Sequence, residues 1–194
     1  MKHSKSNIHR KFHTLPKLRF EEITLTSFAG LILYHKLFKR IDLKRQLRKC
    51  FRHLHGDPTY GAPVIFLQLI IHVLLGFRQL RQQDYYQDDP MVKRVLGLTQ
   101  LPNVSTVTRS LATLDATSIA NLHNLLPQLV VNRLRHLALD SITLDFDGSV
   151  IGTGKHAEGS AIGFNRKKKG QRSYYPLFCT IAELGQVLDV LHRS

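Results

Sequence analysis

Two carboxylates stand two positions apart in the segment SITLDFDGSV, which covers residues 141–150. Side chains alternate along a strand, so Asp145 and Asp147 share one face, while Leu144 and Phe146 share the other and indicate a buried strand. Magnesium prefers oxygen ligands and usually binds through a few carboxylates together with phosphate oxygens. Because Asp147 is the last acid before a glycine turn, we predict it as a metal ligand for phosphoryl transfer, with Asp145 as the second catalytic candidate.

Basic side chains follow these acids in the segment NRKKKGQR. A lysine run is usually only a solvated face, just as an acid at the end of a strand most often forms a turn. Close to a pair of acids, however, such a run could neutralise the phosphates of a nucleic-acid backbone. We therefore predict DNA contacts from this loop, namely from Arg166, Lys167, Lys168, Lys169 and Arg172.

The composition favours a polyanionic partner. The 194 residues carry 28 Lys and Arg against 14 Asp and Glu, which gives a formal net charge of +14. This excess suits nucleic acid or an anionic membrane surface, and charge alone does not choose between them.

The longest apolar run, from Val64 to Phe77, is shorter than the roughly 20 residues that a bilayer crossing needs, so no membrane span is expected. Cys50 and Cys179 are too far apart for a zinc motif and suit a reduced, cytoplasmic protein.

Residues 27–137 carry the signals of successive helices. One of them begins at Pro63 and shows a narrow polar stripe, Gln68 and His72, on an apolar surface, which predicts a buried helix. Other start and stop signals predict a helix from Leu43 to Leu54 capped by Asp42, a short helix between Asp89 and Gly97, and a longer one from about Ser118 to His136 that Pro127 kinks.

Two of these helices could form a helix-turn-helix. The short helix after Asp89 is followed by NVSTVTRSLATL, which predicts a second helix capped by Asn103 or Ser105. Polar residues at the start of such a helix can face a DNA groove, and the candidates here are Ser105, Thr106, Thr108 and Arg109. The connection is longer than the usual three or four residues, so an ordinary helical bundle is the alternative.

The pattern changes near Leu139, where alternating and β-rich segments replace the helical periodicity. A strand at 142–147 is followed by a glycine-rich turn, the basic loop and a second β-rich run, in which ELGQ predicts a hairpin. The sequence therefore predicts an α+β protein. Its parts are a basic arm at 1–26, a helical and DNA-binding region at 27–137, and a sheet that begins within 138–194.

The order of these motifs resembles the group-1 DDE transposase domain of bacterial insertion sequences. An LP-x-x-S-T-x-x-R segment precedes a strand Asp in LDFDG, and then come an EG segment, a KKG loop, a Y-x-P-L strand and a hairpin. The resemblance covers residues 27–193. It implies an RNase H-like fold in which three acids, Asp, Asp and Glu, hold Mg²⁺ or Mn²⁺ for cleavage and transfer of DNA strands. The first acid corresponds to Asp147, with Asp145 as the fallback, whereas Glu158 matches a glutamate outside the triad.

The chain departs from this family pattern after the hairpin. The second Asp and the Glu of the triad belong to later elements, and Asp189, in the hairpin's second arm, does not replace them. We therefore expect an N-terminal fragment without strand-transfer activity, whose partial sheet has an unpaired edge and an uncovered apolar face. Its expected partner is the DNA of transposon ends, with a second copy of the chain in a homo-oligomer as a further candidate, near the nucleoid of a bacterial cytoplasm.

Two other functions suit the same residues. One is a non-catalytic DNA-binding protein that is derived from a transposase and acts as a regulator. It would bind DNA through the basic surface, and its acids would have no catalytic role. A basic RNA- or ribosome-associated helical protein would leave the acids unexplained.

Overall fold

The computed structural model describes residues 25–54, 60–137, 139–163, 165 and 169–193. It shows an α+β protein, as predicted, with helices first and short antiparallel strands after them. The chain divides into two compact units. Of the described residues, those within 25–44 and 60–112 form the first unit, and those within 45–54 and 113–193 form the second unit. Residues 1–24 of the predicted basic arm lie outside the described residues.

Most of the observed helix ends agree with the local sequence signals that predict them. In chain order they are α1 (Leu31–Arg40), α2 (Leu43–Cys50), α3 (Ala62–Leu74), a 3₁₀ helix (Leu80–Tyr85), α4 (Pro90–Leu96), α5 (Val104–Ala112) and α6 (Ala116–Leu134). Asp89 caps α4 by accepting from the main-chain N–H groups of Met91 and Val92, and Gly97 ends it with a φ of 78°. These features of α4 confirm the predicted start and stop signals.

Two predicted helix boundaries are wrong. Helix α2 ends at Cys50 instead of continuing to Leu54, because the next main-chain bonds tighten, with the Arg52 N–H donating to the Lys49 carbonyl three residues back. Asp42, the predicted cap of α2, precedes the helix with a φ of 51°. Helix α6 begins two residues earlier than predicted, and the side chain of Asp115 accepts from the Ser118 N–H at its start.

Helix α3 supplies the centre of the first unit and packs against α4 and α5. Its polar stripe is buried, as predicted, with Gln68 and His72 only 2% and 4% exposed. Gln68 Nε2 donates to Gln83 Oε1 at 2.7 Å, and Gln83 Nε2 donates to the Pro102 carbonyl at 2.6 Å. Beside them, His72 Nδ1 and the Tyr86 hydroxyl are 2.9 Å apart. The stripe therefore ties α3 to the 3₁₀ segment and to the residues that lead into α5.

The second unit contains two small antiparallel sheets. The strands are β1 (Leu144–Gly148), β2 (Ile151–Gly152), β3 (Ala161–Ile162), β4 (Arg172–Tyr174), β5 (Leu177–Ile181) and β6 (Gln186–Leu191). One sheet has the order β1-β5-β6 and the other has the order β2-β4-β3. Strands β5 and β6 form the predicted hairpin, in which Gly185 takes the positive φ of 59° that favours glycine.

Strand β1 is an edge strand, and the prediction that it is buried is wrong. It begins at Leu144 instead of residue 142 and pairs with β5. Leu144 is 43% exposed and Phe146 is 59% exposed. Helix α6 packs against β6, at the other edge of this sheet, so these two apolar side chains have little cover. Among the described residues, no further strand pairs with β1, so this sheet has the unpaired edge and the exposed apolar face that the sequence predicts.

Within the described residues, no helix is both long and apolar enough to cross a membrane.

Candidate functional site

The two predicted acids lie together at the exposed edge of the second unit. Asp145 and Asp147 are on β1, opposite Thr180 and Phe178 of β5. Both acids are exposed to solvent. Two residues along a strand place their Cα atoms about 6.6 Å apart on the same face, which lets two carboxylates converge on one cation. The backbone therefore places Asp145 and Asp147 on the same face of β1, as the sequence predicts.

A tyrosine packs over the glycine that follows Asp147. A Cβ atom added at Gly148 would lie 2.8 Å from Tyr175 Cε1, so any larger residue at this position would make the ring shift. The Tyr175 N–H donates to the Arg193 carbonyl at 2.7 Å, and the Arg193 guanidinium lies 5.8 Å from the centre of the Tyr175 ring. The sequence reasoning missed Tyr175, although the glycine directly after the acid was a signal of close packing.

Within the part of the chain that the structure describes, no third metal ligand lies beside these acids. Among the described residues, no group of three or more His, Cys, Asp and Glu side chains could hold a metal ion. Asp189 pairs across from Cys179, which itself pairs with Phe146, so Asp189 lies on the opposite face of the sheet from Asp145 and Asp147. Its carboxylate contacts His123 Nε2 of α6 at 3.1 Å.

The described residues therefore do not form a two-metal centre. Such a centre needs ligands from several elements around two ions about 3.5 to 4 Å apart, whereas the acids here come from one strand. Glu158 is exposed in the loop between β2 and β3, and its main-chain carbonyl accepts from the Tyr174 hydroxyl. These residues alone do not account for a DNA cleavage step.

The predicted basic loop is only partly described. Residues 166–168, with Arg166, Lys167 and Lys168, lie outside the described residues. Lys169 is exposed in a turn beside Gly170, which has a φ of 78°. Arg172 lies on β4 and is half-buried, with its guanidinium donating to the hydroxyl and the carbonyl of Ser160. Arg172 therefore joins β4 to the preceding loop, whereas Lys169 is available to a ligand.

The predicted DNA-facing residues lie together at the start of α5. Asn103 is the cap, because its Oδ1 accepts from the Thr106 N–H at 2.8 Å, and Ser105 Oγ donates to the same oxygen. Ser105, Thr108 and Arg109 are exposed and Thr106 is half-buried. Arg109 Nη2 lies 3.4 Å from Thr106 Oγ1, so its guanidinium extends along the first turn of the helix.

A Ser, a His and an Asp also meet in the second unit, but not as a catalytic triad. His53 Nε2 lies 3.0 Å from Asp115 Oδ1 and 3.2 Å from Ser118 Oγ, so one ring nitrogen faces both partners and no proton relay runs through the ring. Ser118 is fully buried. Its hydroxyl, followed by His53, holds the pKa of Asp115 well below the usual range. The cluster stabilises the start of α6.

Comparison with known proteins identifies the family. The family model of the group 1 transposase DDE domain matches residues 10–193, which include almost all of both units. Comparisons with curated proteins and with solved structures found no significant match. The family match confirms the resemblance carried by the order of the LPNVSTVTR, LDFDG and KKG motifs. The chain belongs to the DDE transposase family, group 1.

Proposed function

We propose that this protein serves DNA transposition as a DNA-binding transposase chain. The helical region 27–137 binds DNA of the transposon ends, and 138–194 supplies the first strands of an RNase H-like domain. The observation that carries this function is the exposed pair Asp145 and Asp147 on one strand face, in a chain of the DDE transposase family. Asp147 is the first acid of the triad, and Asp145 is its neighbour on the same face.

The acids bind Mg²⁺ or Mn²⁺ in the complete family site, together with phosphate oxygens of the DNA. In the described residues the two carboxylates have no third ligand. We therefore infer that the 194-residue protein binds DNA but does not cut it, because one strand cannot place two ions on both sides of a scissile phosphate.

DNA binding is supported by charge and by exposed polar side chains. The protein has a formal net charge of +14. Ser105, Thr108 and Arg109 are exposed at the start of α5, which is the position that a recognition helix offers to the major groove. Lys169 adds an exposed cation in the second unit. Affinity should fall steeply with salt, because phosphate neutralisation releases counterions.

The test uses the full chain, a supercoiled plasmid that carries transposon ends, and a labelled duplex. We expect duplex binding that weakens with salt, and no Mg²⁺- or Mn²⁺-dependent nicking above that of Asp147→Ala. Nicking that the wild type shows and Asp147→Ala lacks would refute the inactivity. Absence of duplex binding at low salt would refute the DNA-binding function.

A second candidate, a regulator that occupies transposon ends without chemistry, is favoured by the same two-acid geometry. Under that function Asp147→Ala retains full inhibition of a complete transposase in a transposition assay. A role in the catalytic assembly instead predicts that the substitution changes the transposition frequency. If the protein binds RNA more strongly than duplex DNA in a competition assay, both DNA-binding functions are wrong and the protein is RNA-associated.

A further inference from the structure

The first unit contains a small cleft with basic walls. Its volume is about 170 Å³. It lies where α1, the α1–α2 turn, the start of α2 and α4 come together, and its lining consists of His35, Phe38, Lys39, Asp42, Lys44 and Val95. Phe38 and Val95 are 7% and 1% exposed and form an apolar floor. The polar groups are thus carried by packed elements rather than by a loose loop.

Positive charges concentrate around this cleft. Burial lowers the pKa of His35, and the charges of Lys39, Lys44 and Arg94 lower it further, so all three cations act on one imidazole ring. Arg94 adjoins Val95 of the lining. Asp42 is the carboxylate of the lining, which leaves the cationic groups in excess.

Two of these cations have no acidic partner in the described ranges of the chain. Among the described residues, neither Lys39 nor Arg94 forms an ion pair, whereas Lys93, the neighbour of Arg94 on α4, pairs with Asp88 at 3.1 Å. Lys44 Nζ donates to the Leu96 carbonyl at 3.2 Å, at the end of α4, and so links the start of α2 to α4. Gathering like charges in one place costs free energy unless an anion neutralises them.

We propose that this cleft binds one phosphate group of a DNA backbone, with Lys39 of its lining and Arg94, the neighbour of the lining residue Val95, as the cationic partners and His35 as a further donor. The proposal rests on the DNA-binding function and assigns a fixed contact to it. Guanidinium and ammonium groups are the usual partners of phosphate oxygens, and such contacts fix the register of a protein on the duplex. The cleft would position the first unit, and the polar residues of α5 would contact the bases.

The test compares two double variants of the full chain that lose the same charge. Lys39→Gln with Arg94→Gln removes the proposed partners, and Lys36→Gln with Arg78→Gln removes two exposed cations of the same unit that neither line the cleft nor lower the pKa of His35. We expect the first variant to lose about tenfold in duplex affinity and about one unit of salt slope, and the second to lose much less. Equal losses in both variants would overturn the proposal.

A second measurement separates the cleft from DNA binding in general. Inorganic phosphate is titrated into the protein while the ring resonances of His35 are followed by NMR. We expect saturable shifts that Lys39→Gln with Arg94→Gln abolishes and Lys39→Arg retains, with unchanged helical circular dichroism in every variant. A duplex should compete with phosphate for these shifts.

Failure of the cleft proposal and failure of the proposed DNA-binding function give different results. If the wild type does not bind DNA but phosphate still shifts His35, the DNA-binding function is wrong and the cleft is a site for a free anion, which overturns its assignment to a DNA backbone. If DNA binds with wild-type affinity in the Lys39 and Arg94 variant, the function stands and the cleft is not part of the interface.

Discussion

Gln83 should be the most sensitive polar position in the first unit. Its side chain is 3% exposed and forms two buried hydrogen bonds, one from Gln68 Nε2 at 2.7 Å and one to the Pro102 carbonyl at 2.6 Å. Gln83→Met keeps the approximate volume and removes both bonds, so a buried donor on α3 and a buried carbonyl before α5 lose these partners. Each unsatisfied group costs about 1–3 kcal/mol, so the free energy of unfolding should fall by about 2–6 kcal/mol.

Urea denaturation followed by circular dichroism measures this loss. With a slope of about 1–3 kcal/mol per M, the midpoint of the transition should fall by about 1 M or more. The matched control is Gln100→Met, because Gln100 is exposed in the same unit and its change should leave the midpoint nearly unmoved.

A local effect on α5 should accompany the loss of stability. Pro102 precedes Asn103, the cap of α5, so the amides of α5 should exchange with solvent faster in Gln83→Met than in the control. A midpoint within about 0.2 M of the wild type would refute the reasoning, since it would mean that the two buried bonds contribute almost nothing net.

Three further changes test other features. Gly148→Ala should lower the thermal midpoint because its Cβ would meet the Tyr175 ring at 2.8 Å, and Tyr175→Ala should suppress that loss in a double-mutant cycle. Acidification from about pH 7.5 to 5.5 should lower the free energy of unfolding, because burial lowers the pKa of His72 and the unfolded chain then binds more protons; His72→Gln should reduce this dependence. Asp89→Ala should cost about 1–2 kcal/mol in urea denaturation, through the lost cap of α4 and the lost Thr26 contacts.

Each of these expectations has a result that contradicts it. Additive losses in the Gly148 and Tyr175 cycle would show that the ring and the glycine are not coupled. A pH dependence that is unchanged by His72→Gln would assign the proton uptake to another group. An Asp89→Ala protein as stable as the wild type would mean that the side chain of Asp89 contributes nothing through the cap or the Thr26 contacts.

Local signals predicted the elements whose formation depends on neighbours in the chain. Asp89, Pro90 and Gly97 fix the ends of α4, and Gly185 fixes the β5–β6 hairpin, because caps and tight turns are set by the backbone preferences of a few adjacent residues. The end of α2 was misplaced, because an apolar periodicity can continue past the point where the main-chain bonds tighten.

The exposure of β1 depends on which strand of its sheet the neighbouring helix covers. Alternation placed Asp145 and Asp147 on one face and Leu144 and Phe146 on the other, but it could not show which face another element covers. Helix α6 packs on β6, so the apolar side chains of β1 are solvated at the edge.

The sequence by itself determined the α+β order, the shared face of Asp145 and Asp147 and the family to which the chain belongs, since each follows from residue type and spacing along the chain. Only the tertiary structure decided which distant side chains meet. Strand pairing puts Asp189 on the face away from the acids, and helix packing brings the charge of Arg94 on α4 near His35 on α1. Contacts of this kind join residues tens of positions apart, so no local pattern encodes them.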